Sequence, residues 1–275
     1  MASSYVFQDS RLGKLDGFEV EIDEARERAD IVLNRPPYNV VSMPQRDQLR
    51  LVFETLDEDD RVRIIVVRSV GEHFSSGGNI GGFMEATPEK VSKLAWNIAS
   101  PTRCSKPVIV ANRGYCFGVG FELSLACDFR LMADHTKIGV PEVRIGALAG
   151  AGGVQKLHRL VGRGKALEWI LLGSHVSAAE ALAHGLITAV HPAADLLPAA
   201  MELAARFRLL GPRAVAQSKM AVRMCGDADL TNARNIGLEA LAMLIGAPEW
   251  QEGMAAFMEK RDPHFPPLAT EHGHE

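Results

Sequence analysis

Apolar positions along the first half of the chain follow two different periods. Phe18, Val20 and Ile22 recur at every second residue and predict a half-exposed strand. Ile31-Val32-Leu33 predicts a second strand paired with the first and ended by Pro36-Pro37. From Pro44 to Asp57 the period lengthens. Leu49, Val52, Phe53 and Leu56 fall at i, i+3, i+4 and i+7, the stripe of an amphipathic helix. The unbroken runs Ile64-Ile65-Val66-Val67 and Val108-Ile109-Val110 predict strands buried on both faces, and Phe129-Arg130-Leu131-Met132 predicts one more strand. Between the runs, Thr87-Pro88-Glu89 opens a helix, with Thr87 as its cap and proline in its first turn. An apolar helix is expected over residues 119–127.

From Gly152 onward the helical period takes over. Helices are expected near 153–161, 163–172 and 178–184, the last opened by a capping box of Ser177 and Glu180. A short strand at Thr188-Ala189-Val190 follows, then helices near 194–209, 213–224, 229–246 and 249–260. Buried strands that alternate with helices pair in parallel through right-handed crossovers. The expectation is therefore an α/β core over residues 1–195 and a helical C-terminal region over 196–275, with no repeat or low-complexity linker between them.

Three glycine clusters interrupt this pattern. The first runs from Phe74 to Gly82, the second from Gly114 to Glu122, and the third from Pro141-Glu142 to Gly150-Ala151-Gly152-Gly153. The first two lie between the C-terminal end of a buried strand and the next helix, where open α/β sheets bind ligands. Glycine there lets backbone N–H groups approach a ligand with no Cβ in the way. Gly118-Val119-Gly120 is a weak match to a dinucleotide fingerprint. The third glycine is missing, since Leu123 occupies its place, and Asp134 comes early for a ribose contact. No phosphate-binding GxxxxGK[ST] loop and no GxSxG nucleophile elbow occurs.

Two carboxylates stand in these loops. Glu122 falls in the first turn of an apolar helix, where a purely structural role at the helix N-terminus is common. Glu142 follows a proline in a glycine-rich connection, where a solvated loop carboxylate is the plain alternative. If both converged on one pocket they would suit proton transfer, one as base and one as acid. Spacing alone does not bring them together.

Composition narrows the class. Over 275 residues, 30 basic against 34 acidic side chains give a net charge of -4, which argues against nucleic acid or an anionic membrane as partner. A chain of this length buries about three quarters of its extended surface and needs no staple. Cys104, Cys116, Cys127 and Cys225 show no CxxC pairing or metal-ligand spacing, so reduced thiols and no metal are expected. The first 17 residues hold no apolar signal-peptide core, and no stretch approaches the roughly 18 apolar residues of a membrane span. A soluble cytoplasmic protein is expected, with His272 and His274 in a frayed polar end after Pro266-Pro267.

Taken together, the first two loops, the two glutamates and Gly150-Ala151-Gly152-Gly153-Val154-Gln155-Lys156-Leu157 resemble the enoyl-CoA hydratase/isomerase family, also called the crotonase family. So do Leu33-Asn34-Arg35-Pro36 and Glu252-Gly253-Met254-Ala255-Ala256-Phe257. The likeness spans about residues 18–262. It implies a fold of repeated ββα units with a helical C-terminal trimerisation region, assembled as a homotrimer or as a hexamer of two trimers. It implies an acyl-CoA thioester as substrate, with coenzyme A carried by that substrate and no separate cofactor. In the family two backbone N–H groups hold the thioester oxygen, and on this chain they match Gly78 and Val119. Ser76, Gly77, Asn79, Ile80 and Gly118 flank them and are expected against the substrate.

Glu122 and Glu142 match the glutamates that hydratases use to activate water and protonate the α-carbon, with Glu142 the preferred acid, and the N–H of Gly150 matches a group that helps to hold the water. Lys260 and Arg35 match positions near coenzyme A, Lys260 from a neighbouring subunit. Retention of both glutamates favours hydration over the isomerase, thioesterase or C–C hydrolase reactions of the same family, and over a non-catalytic binding protein. The chain also departs from the family pattern. Asn79 replaces an aspartate, Val119 a glycine, Arg113 an asparagine and Ala149 a proline. With Phe83, Met84 and Trp96 near the acyl pocket, these changes point away from a plain short fatty chain, although Met84 and Trp96 read locally as ordinary core residues.

Overall fold

The alternating and continuous apolar runs assemble as one twisted sheet. A computed structural model describes Ser3–Ser4, residues 13–85 and residues 87–265; the tail that carries His272 and His274 lies outside the described residues. The large sheet has the order β1-β2-β3-β4-β5-β7-β10. Its members are β1 (Ser3–Ser4), β2 (Phe18–Asp23), β3 (Arg28–Leu33), β4 (Ile64–Ser69), β5 (Val108–Asn112), β7 (Phe129–Ala133) and β10 (Ala189–His191). β2 and β3 form an antiparallel hairpin with Phe18 opposite Leu33, and from β3 to β10 every pairing is parallel. The unbroken apolar runs of β4 and β5 have their cause here, because each lies between two parallel neighbours and under helices.

α1 (Met43–Glu58) lays Leu49, Val52, Phe53 and Leu56 into the core, all at most 1% exposed. Its start is secured by a reciprocal capping box between Ser42 and Gln45. Behind the sheet, α9 (Leu196–Arg206) closes a second apolar cluster with Ile64, Ile109 and Leu131. The four cysteines are all free thiols. Beyond β10 the described chain is helical: α9, α10 (Pro212–Cys225), α11 (Leu230–Ala242) and α12 (Pro248–Glu259).

A second, smaller sheet was not visible in the apolar pattern. β6 (Tyr115–Phe117) pairs in parallel with β8 (Lys137–Gly139), which pairs antiparallel with β9 (Val176–Ser177). Single bridges extend it past Ser75, opposite Cys116, to Gly78, opposite Val41.

Other expectations shift in detail. The helix opened by Thr87 is broken into α3 (Pro88–Ser92), α4 (Leu94–Ile98) and α5 (Ser100–Arg103), after a short α2 (Ile80–Met84). The helices expected near 153–161 and 163–172 are both present as the two halves of α7 (Gly153–Leu171), separated at Gly162, whose φ of +76 and ψ of 163 are not helical. The Ser177–Glu180 box before α8 (Ala178–Ala183) is only half made. Ser177 Oγ accepts from the Glu180 N–H, while the Glu180 carboxylate accepts from Trp169 Nε1. Met84 and Trp96 are not core residues in this chain, being 83% and 58% exposed. Trp96 instead lies beneath the Arg103 guanidinium, 3.6 Å from the ring centroid.

Candidate active site

The small sheet places the first glycine loop beside the start of α6 (Gly118–Ala126). Both edges of residues 75–79 are in use. Ser75 N–H donates to the Tyr115 carbonyl and Phe117 N–H to the Ser75 carbonyl; on the other side, Val41 N–H donates to the Gly77 carbonyl and Asn79 N–H to the Val41 carbonyl. Gly77 has φ +119 and Gly118 has φ +51, conformations that only glycine takes cheaply, and they turn the two segments toward each other. A β-carbon on Gly78 would stand 3.6 Å from Val119 Cγ1. Val119 is the second residue of α6, so its N–H belongs to the unsatisfied first turn. Neither the Gly78 N–H nor the Val119 N–H finds an acceptor among the described residues. Two adjacent donors with no partner, one at the positive end of a helix, form a cradle for an oxygen that carries negative charge.

Both glutamates come to this cradle. Glu122 is the fifth residue of α6, just past the first turn in which the sequence placed it, and only 3% exposed. Its Oε1 accepts from the Ala151 and Gly153 N–H groups, each at 2.8 Å. Burial pushes its carboxyl up to about 7 and the nearby charge of Glu142 pushes in the same direction, while the two N–H donors and Arg46 oppose them. Glu142 lies in a single 3-10 turn, Pro141–Ile145, with its Oε1 packed on Gly118. A β-carbon at Gly118 would come within 2.7 Å of that oxygen. Glu142 Oε2 is buried with no partner, and burial raises this carboxyl too. Two desolvated acids, with Glu122 raised to about 7 and sensing the charge of Glu142, can hold a proton and pass it to a ligand.

The remaining candidates spread out around this centre. Gly150 is exposed, and it is the neighbouring Ala151 and Gly153, not Gly150, whose N–H groups hold Glu122. Ser76 N–H donates to the Tyr38 carbonyl, and Asn79 caps α2 through Gly82 N–H. Ile80 stands 56% exposed on α2. Arg35 is not brought to the carboxylates. Its guanidinium is held by Asp16, the Val40 carbonyl and Gln45 at the start of α1. Lys260 is the exposed left-handed cap of α12, without an ion pair among the described residues.

One member of the site was missed in the sequence. Arg46, on α1, is 5% exposed, and a β-carbon at Gly78 would stand 2.6 Å from its Nη2. Its sequence signal is plain in hindsight, a basic residue three before Leu49 and seven before Phe53, in register with the apolar stripe. A cavity of about 290 Å³ opens nearby, between Ser42, Met43 and Pro44 at the start of α1 and Asn79 and Gly82 of α2. A larger cavity, about 860 Å³, lies elsewhere, between α6, α7 and α10, and neither glutamate lines it.

Known proteins resemble this chain over nearly its full length. YngF of Bacillus subtilis is 35% identical over 237 residues, 84% of this chain and 91% of that protein. The crotonyl-CoA hydratase of Syntrophomonas wolfei is 31% identical over 89% of this chain and 96% of its own. The crystal structure of an enoyl-CoA hydratase from Bacillus anthracis superposes with a TM-score of 0.85 at 32% identity, covering 91% of this chain and 99% of that one. The family model described as enoyl-CoA hydratase/isomerase matches residues 25–267, and the chain belongs to that family.

Proposed function

We propose that this protein is a hydratase that adds water across the C2–C3 double bond of a 2-enoyl-CoA thioester. The observation that carries the reading is the pairing of two unpartnered N–H groups, on Gly78 and Val119, with two desolvated glutamates whose carboxyls are both raised by burial. The thioester oxygen accepts from both N–H groups, and attack at C3 turns it into an enolate that the preorganised donors stabilise. One such donor is typically worth about 3–4 kcal/mol of barrier. Glu122, ionised and held by Ala151 and Gly153, takes a proton from water as the hydroxyl adds to C3. Glu142 gives its proton to C2 as the enolate collapses. Together the transfers consume one water, and the pair regains its proton arrangement by exchange between its members.

Ser76, Gly77, Asn79, Ile80 and Gly118 border the thioester in this reading. Arg35 stiffens the approach at the start of α1, and Lys260 reaches coenzyme A from a neighbouring copy. Assembly of residues 196–275 into a homotrimer or hexamer is supported by the apolar side chains that α11, α12 and the turn between them leave exposed, among them Leu230, Leu238, Ile245, Phe257 and Met258.

The test is a product-resolved assay with crotonyl-CoA and with branched, cyclic and aryl 2-enoyl-CoAs. Hydration removes the conjugated thioester absorbance and adds the mass of one water. Glu122→Gln and Glu142→Gln are each expected to lower kcat by about 10²–10⁴-fold with a smaller change in KM. Retention of near-normal rates by both variants would exclude the assignment, and so would an isomer or free coenzyme A as the sole product.

A further inference from the structure

No described side chain pairs directly with the charge of Arg46, which acts on Glu122 and Glu142 only through space. The inward face of α1 carries Leu49, Val52, Phe53 and Leu56 beside Gln45, which is engaged in the capping box and by Arg35, and an aliphatic side chain would satisfy packing at position 46. The residue is instead only 5% exposed, its guanidinium makes no hydrogen bond or ion pair among the described residues, and its Nε is buried without an acceptor. Burial pulls its proton affinity down against the charges of Glu122, Asp47 and Glu142, and Asp47 is itself engaged by Asn97. A buried, unpaired cation is among the most costly groups a fold can hold.

A partner for the catalytic pair would be joined to it, yet Glu142 Oε2 and Arg46 Nε are both orphans of the same site and do not meet. The guanidinium stands instead where the side-chain directions of Gly78 and Val119 converge, beside the two N–H groups assigned to the thioester oxygen. What it lacks is a planar anion, and a carboxylate fits its forked donors with two parallel hydrogen bonds. We propose that Arg46 selects an acyl-CoA whose acyl chain carries a second carboxylate a few carbons from the thioester, that is, the coenzyme A monoester of a short dicarboxylic acid. The proposal rests on the thioester site assigned above and names the substrate class of that site.

Binding and turnover test it separately. Glutaryl-CoA and pentanoyl-CoA differ by one terminal carboxylate, as do adipyl-CoA and hexanoyl-CoA, and none of the four can be hydrated. Calorimetry on the wild type should show tighter binding of the dicarboxylic member of at least one pair, by about tenfold or more. Arg46→Met should bring that ratio to about one or below, and Arg46→Lys should retain part of it, since lysine keeps the charge but not the fork. The kcat/KM ratio of glutaconyl-CoA to 2-pentenoyl-CoA should fall in step, whatever each variant does to the rate common to both. Equal wild-type affinities within both pairs would overturn the proposal, as would a preference that survives Arg46→Met. A shifted pH–rate profile in Arg46→Met with an unchanged ratio would overturn it as well, by assigning the residue to the carboxyl pair. If no enoyl-CoA turns over at all, the hydratase reading fails, while the binding ratios still decide the role of Arg46.

Discussion

Replacing Glu122 by glutamine removes a buried carboxyl whose protonation is set by opposing forces. Burial at 3% exposure and the neighbouring Glu142 charge favour the neutral acid; the Ala151 and Gly153 N–H groups and Arg46 favour the anion. Burial wins, moving the carboxyl from its ordinary 4.5 to about 7. A carboxyl raised on folding binds its proton more tightly in the native state. Its stabilising contribution is therefore complete below the unfolded value and is lost as pH rises through the folded one. At about 1.36 kcal/mol per unit, the full difference is roughly 3 kcal/mol, most of which is lost between about pH 5 and pH 8. Denaturant unfolding of wild type and Glu122→Gln at fixed protein concentration, at both pH values, isolates this amount as the change in their stability difference. Wild type should lose about 2–3 kcal/mol relative to the variant on going to the higher pH. Because the acids are coupled, the amount belongs to the pair's shared proton. Parallel profiles would refute the reasoning. A relative gain by wild type would show that the two N–H bonds outweigh burial.

Three further changes probe the supports of the site. Gly118→Ala forces a β-carbon to within 2.7 Å of Glu142 Oε1 at φ +51, so Glu142 must move; kcat should fall by about tenfold or more while the thermal midpoint drops by only a few degrees. Gly120→Ala sets a β-carbon 2.5 Å from the Ser75 side chain and should wedge α6 away from the first glycine loop, so that loss of turnover accompanies a stability loss of about 1–3 kcal/mol by urea titration. Lys106→Met strips the Leu56 and Asp59 carbonyls at the end of α1 of the buried ammonium that donates to both at 2.6 Å. It should cost about 1–3 kcal/mol of stability with KM unchanged.

What could be read from the chain beforehand follows physical range. β2 to β5, α1 and α6 were legible because burial on one or both faces writes its period directly into consecutive residues. β6, β8 and β9 were not, because strands of two or three residues carry no period and owe their existence to partners far away in sequence, as Cys116 owes its own to Ile138 and Ser75. Glu122 and Glu142 could be singled out by type and by their glycine-rich surroundings. Their convergence depends on the left-handed turn at Gly118 and the single 3-10 turn at Pro141, which no spacing rule encodes. Met84 and Trp96 misled because an apolar side chain states a preference for burial without stating that its own chain supplies the cover. Arg46 was written in the register of α1 all along, as a polar residue on an apolar face.

The position of the N–H cradle follows from backbone geometry more than from any single side chain. Along residues 75–79 the groups that face β6 and Val41 are consumed in pairing, and Ser76 N–H is taken by Tyr38. The Gly78 N–H is left pointing away from Val41, toward the start of α6. A helix N-terminus offers only donors, so α6 cannot supply the acceptor that Gly78 lacks, just as Gly78 cannot supply one to Val119. Two donors set against each other in this way can be satisfied together only by an oxygen that enters between them. The pairing that rigidifies the loop is thus what forces the donors to stay open. Loosening it, as at Gly120, should cost the reaction more than it costs the fold.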